Sequence, residues 1–230
     1  MTTRAPRRCG RSPEYLSIWR YFNRLAAIFA VTFTLIGTQA AAAETVLAVL
    51  GDSLVAGFGL PANEAFPARL EVALRAAGED VRVINAGVSG DTTAGGLARL
   101  EWVLGDQPDI VLVELGSNDS LRGLDPATTF DNLDLIVTTL KERDVTVMIA
   151  GMLAPRNLGS EYVDAFDAIY PRLAEKHDVA LYPFFLDGVA LDPALNQADL
   201  IHPNREGVDV IVAKILPAIR ALLDAHRTAN

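Results

Sequence analysis

Cysteine is all but missing from this 230-residue chain: Cys9 is the only one, so no disulfide within the chain can staple the fold. It precedes the apolar stretch of the N-terminus and therefore fits no lipid-attachment site. Past residue 43 the sequence is thiol-free, which is compatible with an oxidising compartment. Histidine is nearly as scarce. His177, His202 and His226 lie far apart and form no His-x-x-x-His pair, which argues against a histidine-built metal site. Phosphate-binding signatures are incomplete as well. "GFGLPA" supplies half of a G-x-G-x-x-G turn, and no Gly-Lys-Ser or Gly-Lys-Thr follows a glycine-rich turn. With no internal repeat, low-complexity linker or second composition regime over residues 44–230, one domain is expected there.

Positive charge is in deficit and unevenly placed, 20 basic residues standing against 29 acidic ones. Six arginines and a lone acid, Glu14, fall within residues 1–43, ahead of and around an apolar run from Leu25 to Gly37 that ends in "TQAAAAE". A basic region, an apolar region and an Ala-x-Ala exit predict an export signal over residues 1–43, cleaved before Glu44, and a periplasmic or secreted product. The alternative is an uncleaved anchor, because Leu25 to Ala43 is 19 residues and nearly bilayer length. Its alanine-rich end is a weak lipid anchor and a good peptidase site, so cleavage is favoured and no stable membrane span remains. Cleavage leaves 14 basic against 28 acidic residues, a formal charge of −14. That balance repels phosphate backbones and excludes nucleic acid as an expected partner. Nothing requires more than a monomer.

What is abundant is apolar material, 50% of residues, enough for a sizeable core. From Val46 onward, β-branched runs alternate with amphipathic stretches. "VLAVL", "VRVINA", "IVLVEL", "VTVMIAGM" and a short "VALYP" predict buried strands. Helical spacing covers Glu64 to Ala77, Thr92 to Leu104, Pro126 to Arg143, Glu161 to His177 and Asn204 to Ala225. Strands apolar on both faces and separated by helices imply a parallel sheet covered on both sides, a flavodoxin-like three-layer α/β/α sandwich. In such a sheet the loops at the carboxyl ends of the strands gather along one edge, where ligands bind.

The residues that this topology brings to that edge are small and polar. Ser53 follows the first strand in "GDSL", where the ordinary reading is an Asp-Ser cap on the next segment and the sharper one a nucleophile. A serine hydroxyl needs a base at neutral pH. His226 sits in a charged tail, and His177 ends a helix where the dipole accounts for it. His202, in "ADLIHPNREG", has Pro203 after it to extend its backbone and Asp199 three residues before it. From a turn, that carboxylate can reach Nδ1 and leave Nε2 facing the serine. Gly90 offers an unobstructed backbone N–H and Asn118 a side-chain amide, each from another strand end, although a tight turn and a capped turn explain them equally well in isolation. Nucleophile, two donors and an acid-base pair all falling on one edge favour a single active site. Asp52, Asp91 and Asp119 lie on the same edge and are expected to brace its loops by accepting backbone hydrogen bonds.

"GDSL", "NAGVSGDTTAGG", "ELGSNDSLRG" and "DLIHP" resemble, in order, the four blocks of the SGNH (GDSL-type) hydrolases. Within them the chain is most similar to the bacterial thioesterase I, lysophospholipase L1 and arylesterase group, a likeness that "AIYPRLAEKHDVALYPFF" extends. The resemblance implies the SGNH hydrolase fold and an esterase or thioesterase acting on small acyl esters or thioesters. It implies a Ser53, His202, Asp199 triad, an oxyanion hole from the Ser53 and Gly90 N–H groups with Asn118, and neither metal nor organic cofactor. A carbohydrate acetylesterase of the same fold, or a non-catalytic exported binding module, are the alternatives. Ser117 stands where relatives carry glycine or alanine, a departure that bears on substrate preference. The segment "MLAPRNLGSEY" is expected to be a loop able to move over an acyl chain, with Met152, Leu153 and Pro155 as substrate-contacting residues.

Overall fold

A computed structural model describes residues 1–2 and 44–229, so the export signal expected over residues 1–43 lies outside the described residues. The chain divides into two units, Met1–Ala42 and Ala43–Asn230, and the second contains every element below. Its centre is a five-stranded parallel sheet in the order β2-β1-β3-β4-β5. The strands are β1 (Thr45–Gly51), β2 (Val81–Gly87), β3 (Ile110–Glu114), β4 (Thr146–Ala150) and β5 (Ala180–Tyr182). All five expected strands are present. β1 and β3 are buried along almost their whole length, as near-continuous apolar runs require when both faces of a parallel sheet are covered. Each fully buried Leu, Val or Ile side chain there contributes about 1.5–3 kcal/mol by leaving water.

Helices cover both faces. On one side α2 (Phe66–Ala76) packs against the long C-terminal α9 (Arg205–Ala229), and on the other α6 (Pro126–Glu142) packs against both α3 (Thr93–Ala98) and α8 (Ile169–His177). Among the described residues no helix is long and apolar enough to cross a membrane. Two expected helices are each split. The stretch Thr92 to Leu104 breaks at Arg99 into α3 and α4 (Leu100–Leu104), and Glu161 to His177 breaks at Ala168 into α7 (Ser160–Asp167) and α8. The first break has a tertiary cause, because Arg99 reaches out of the helix to Asp91 and the Gly51 carbonyl. Two single-turn helices have no counterpart in the sequence pattern: α1 (Ser53–Ala56) after β1 and α5 (Ser117–Leu121) after β3. Both open at the carboxyl ends of adjacent strands, the point where the strand order reverses and crevices form in such sheets.

Candidate active site

The cap expected of the Asp-Ser pair is present, and Asp52 makes it. Asp52 is the cap of α1, its Oδ1 accepting the Leu54 N–H at 3.0 Å, while Ser53 is the first residue of the turn. With the capping duty on Asp52, the Ser53 hydroxyl is left for another partner, and it finds His202: Nε2 lies 2.9 Å from Oγ. Gly57, at φ 80°, ends α1 after one turn, so the serine sits on a sharp bend rather than inside a helix.

The other half of the pair comes from the loop before α9. Asp199 Oδ1 accepts the N–H groups of Ile201 and His202 at 2.9 and 3.0 Å, closing the turn, and its Oδ2 meets His202 Nδ1 at 2.7 Å. One carboxylate thus builds the turn and orients the ring. Those three hydrogen bonds, the His202 backbone first, hold the Asp199 carboxyl down to about 2, so it is ionised across the working range. Between the two residues Leu200 is left-handed (φ 59°), a costly conformation for a leucine that reverses the chain and lets aspartate and histidine face each other. The Phe58 ring lies against the imidazole, centroids 4.5 Å apart. Gln197 joins the two loops, donating from Nε2 to the carbonyls of Phe58 (2.7 Å) and Pro203 (3.0 Å).

The expected donors come to the same edge. Gly90 is left-handed (φ 84°); the turn around it is closed by the Asp91 N–H on the Val88 carbonyl, and its own carbonyl accepts from Arg122 Nη2 at 2.8 Å. Among the described residues neither the Ser53 nor the Gly90 N–H has an intramolecular acceptor. Asn118, on α5, donates from Nδ2 to Asp52 Oδ2 at 2.9 Å, which leaves its second N–H for a ligand. Two backbone donors and one amide on the edge that carries the Ser53 hydroxyl suit an oxygen that gains negative charge.

The aspartates divide their work differently from the expectation. Asp52 caps α1, and Asp119 accepts from the Thr93 N–H and hydroxyl at 2.9 and 2.6 Å, both as expected. Asp91 instead pairs with Arg99 at 2.6 Å, because an arginine from the helix break reaches it first. The sequence reading did not single out Glu114, a fully buried acid ending β3, nor Gln197, Arg99 or Phe58. Glu114 left a signal, a lone acid inside the apolar run "IVLVEL". The others act through contacts such as Arg99 to the Gly51 carbonyl and Gln197 to the Phe58 carbonyl, across 48 and 139 residues, and leave none. His177 and His226 have structural partners, Asp134 at 2.7 Å and the Thr146 hydroxyl at 2.8 Å.

The loop expected to cover an acyl chain is anchored at its base. The Ala154 N–H donates to Asp167 Oδ1 (2.9 Å), and Arg156 pairs with the same carboxylate at 2.5 Å. Of the three expected substrate contacts, Met152 is instead buried in the hydrophobic core, where its side chain packs away from the surface, whereas Leu153 is exposed and Pro155 half-buried. A cleft of about 790 Å³ runs between Phe130 of α6, Leu158 just before α7 and Tyr162 on α7, and none of Ser53, Gly90, Asn118, Asp199 and His202 lines it. Ser117 is half-buried at the start of α5, its carbonyl accepting from the Ser120 hydroxyl at 2.9 Å.

Comparison with known proteins agrees with this geometry. Residues 49–210 match the GDSL-like Lipase/Acylhydrolase family. Esterase TesA of Pseudomonas aeruginosa is 41% identical over 187 residues, 81% of this chain and 92% of that protein. The arylesterase of Vibrio mimicus is 43% identical, covering 76% and 88%, and thioesterase 1/protease 1/lysophospholipase L1 of Escherichia coli K12 is 42% identical, covering 81% and 88%. Among solved structures, AlinE4, an SGNH-hydrolase family esterase, superposes with TM-score 0.66 at 49% identity, covering 78% and 97%. The esterase EstA from Pseudoalteromonas sp., inhibited by monoethylphosphonate, superposes with TM-score 0.75 at 30% identity, covering 79% and 100%.

Proposed function

Since the chain belongs to the GDSL-like lipase/acylhydrolase family and is a serine ester hydrolase, we propose that Ser53 is its nucleophile, with His202 the general base, Asp199 the residue that orients it, and Ser53, Gly90 and Asn118 the oxyanion donors. The observation that carries this is the continuous line from Asp199 Oδ2 through the imidazole to Ser53 Oγ, 2.7 Å on one side of the ring and 2.9 Å on the other. With Nδ1–H held by an ionised carboxylate, Nε2 is the nitrogen free to accept the serine proton.

The hydroxyl attacks the acyl carbonyl as His202 takes its proton. The carbonyl oxygen, now negative, sits among the three N–H donors. His202 returns the proton to the leaving alcohol or thiol, and a water repeats the sequence on the acyl-enzyme. Substrates are small acyl esters and thioesters. Leu153 and Pro155, at the surface of the anchored loop, contact the acyl chain, and Met152 supports that loop from the core. Residues 1–43 direct export and are removed before Glu44, and the product acts as a monomer without a nucleic-acid partner.

Hydrolysis of p-nitrophenyl acyl esters by Ser53→Ala and His202→Ala tests the assignment. Both variants are expected to lose nearly all turnover; full activity in the serine variant would end it.

A further inference from the structure

Behind the reacting surface lie two carboxyl groups that acyl transfer itself leaves unused. Asp52 and Glu114 are both fully buried. Asp52 engages both oxygens, Oδ1 with the Leu54 N–H at 3.0 Å and Oδ2 with the Asn118 amide at 2.9 Å. Glu114 rises from the end of β3 with Oε2 3.4 Å from the Asp52 N–H and with Oε1 unpartnered. A primary amide rotates broadly about its last torsion unless something holds it. An oxyanion donor, however, is effective only when it points at the developing charge beforehand. Once one N–H of Asn118 is held by a fixed acceptor, planarity fixes the direction of the other.

We propose that Asp52 is a positioning residue of the oxyanion hole, its buried carboxylate fixing the Asn118 amide so that the second N–H points at the substrate oxygen. This rests on the acyl-transfer reading above and adds a residue to it. Asp52 touches neither substrate nor the reacting atoms; it acts through Asn118.

A pH dependence follows. Both Asp52 oxygens already receive a donor, so an added proton competes with Leu54 or Asn118. Burial pushes the Asp52 carboxyl up to about 6, against the opposing pull of the Leu54 N–H, Asn118 and His202, with Asp119 adding to the rise. Burial and the Asp52 charge hold Glu114 well above the usual carboxylate range, so Glu114 keeps its proton while Asp52 carries the charge. The other groups facing the pair are committed elsewhere. Asp119 is bound by Thr93, the Tyr170 hydroxyl donates to the Leu115 carbonyl, and Arg99 serves Asp91 and the Gly51 carbonyl. Catalysis therefore requires Asp52 in its ionised form, as the anchor of Asn118.

The test is a double-mutant cycle on kcat and KM with Asp52→Asn, Asn118→Ala and the pair, together with the acid limbs of wild type and Asn118→Ala. Asparagine at 52 presents an N–H where Asn118 needs an acceptor, so kcat is expected to fall about tenfold or more with KM within about twofold of wild type. In the Asn118→Ala background the same change should cost nothing further. An equal loss in both backgrounds, or wild-type kcat in Asp52→Asn, overturns the proposal. Should Asp52→Asn fail to fold, the limbs decide. An acid limb of log kcat/KM steeper in wild type than in Asn118→Ala supports it, and equal slopes overturn it. Phosphonate labelling separates the two layers: an unlabelled wild-type Ser53 defeats the nucleophile assignment, whereas a labelled Ser53 with an additive cycle defeats only the role of Asp52.

Discussion

Replacing Asp199 with asparagine separates two tasks that one carboxylate performs. Asparagine keeps an Oδ1 to accept the Ile201 and His202 N–H groups, so the turn survives. It loses Oδ2, the acceptor 2.7 Å from His202 Nδ1, and puts an N–H in its place. Two donors then face each other, and the imidazole relieves the conflict by moving its proton to Nε2, the nitrogen 2.9 Å from Ser53 Oγ. The base is blocked by its own proton. For a buried aspartate in a serine protease this substitution lowers kcat by about 10⁴. The Asp199 side chain is 37% exposed, so water can stand in as an acceptor for Nδ1 and the expected loss is smaller. A fall of about 10³ in kcat, roughly 4 kcal/mol of barrier, is expected, with KM within a few-fold. Asp199→Ala removes the turn acceptor as well and should melt at a lower temperature than the asparagine variant. Steady-state hydrolysis of p-nitrophenyl butyrate at saturating substrate supplies kcat. A value for Asp199→Asn within tenfold of wild type would refute the claim that Asp199 sets the tautomer.

Gln197→Ala cuts the bond to the Phe58 carbonyl of the serine loop and the one to Pro203 within the histidine loop; a loss of about 1–2 kcal/mol in urea unfolding and a several-fold fall in kcat/KM are expected, and unchanged kcat/KM counts against a bridging role. At Gly90 an added Cβ meets only Arg122 Nη2 at 3.7 Å, so Gly90→Ala costs about 1–2 kcal/mol through its left-handed backbone and should turn the N–H away, lowering kcat more than it raises KM; wild-type kcat speaks against that donor. Glu114 is protonated in the fold while its unfolded form ionises above its ordinary 4.5, so the native protein loses stability as pH rises from there toward the raised native value. Glu114→Gln removes that slope, and urea unfolding at pH 5 and pH 8 should differ less in the variant than in wild type. Asp199 has the opposite sign: its stabilisation is present above 3.8 and is lost as pH falls through about 2, a loss absent from the pH–stability curve of Asp199→Ala.

The parts of the fold that were legible are those with a long period. β1 and β3 announce themselves because both faces are buried, and α6 because 17 residues hold one apolar stripe. α1 and α5, at four and five residues, are too short to complete a pattern, although they carry Ser53 and Asn118. The helix break at Arg99 and the Asp91 pairing share one cause, a side chain reaching across the edge, and local sequence holds no trace of it. Ser53, Gly90 and Asn118 were legible because strand order brings the loops after β1, β2 and β3 to one edge, and Asp199 and His202, in the loop before α9, from their own spacing and the resemblance to the SGNH hydrolases. Asp52 was read only as a brace, for its bond to Asn118 spans 66 residues.

The central claim is that His202 and Asp199 make Ser53 a nucleophile. Treating the native protein with a serine-directed alkyl phosphonate and mapping the adduct by peptide mass spectrometry tests it directly. One phosphonyl group on Ser53, with matching loss of hydrolysis and with labelling slowed in His202→Ala, is the predicted result. Hydrolysis that persists after complete labelling of Ser53, or inactivation through a different residue, would contradict it.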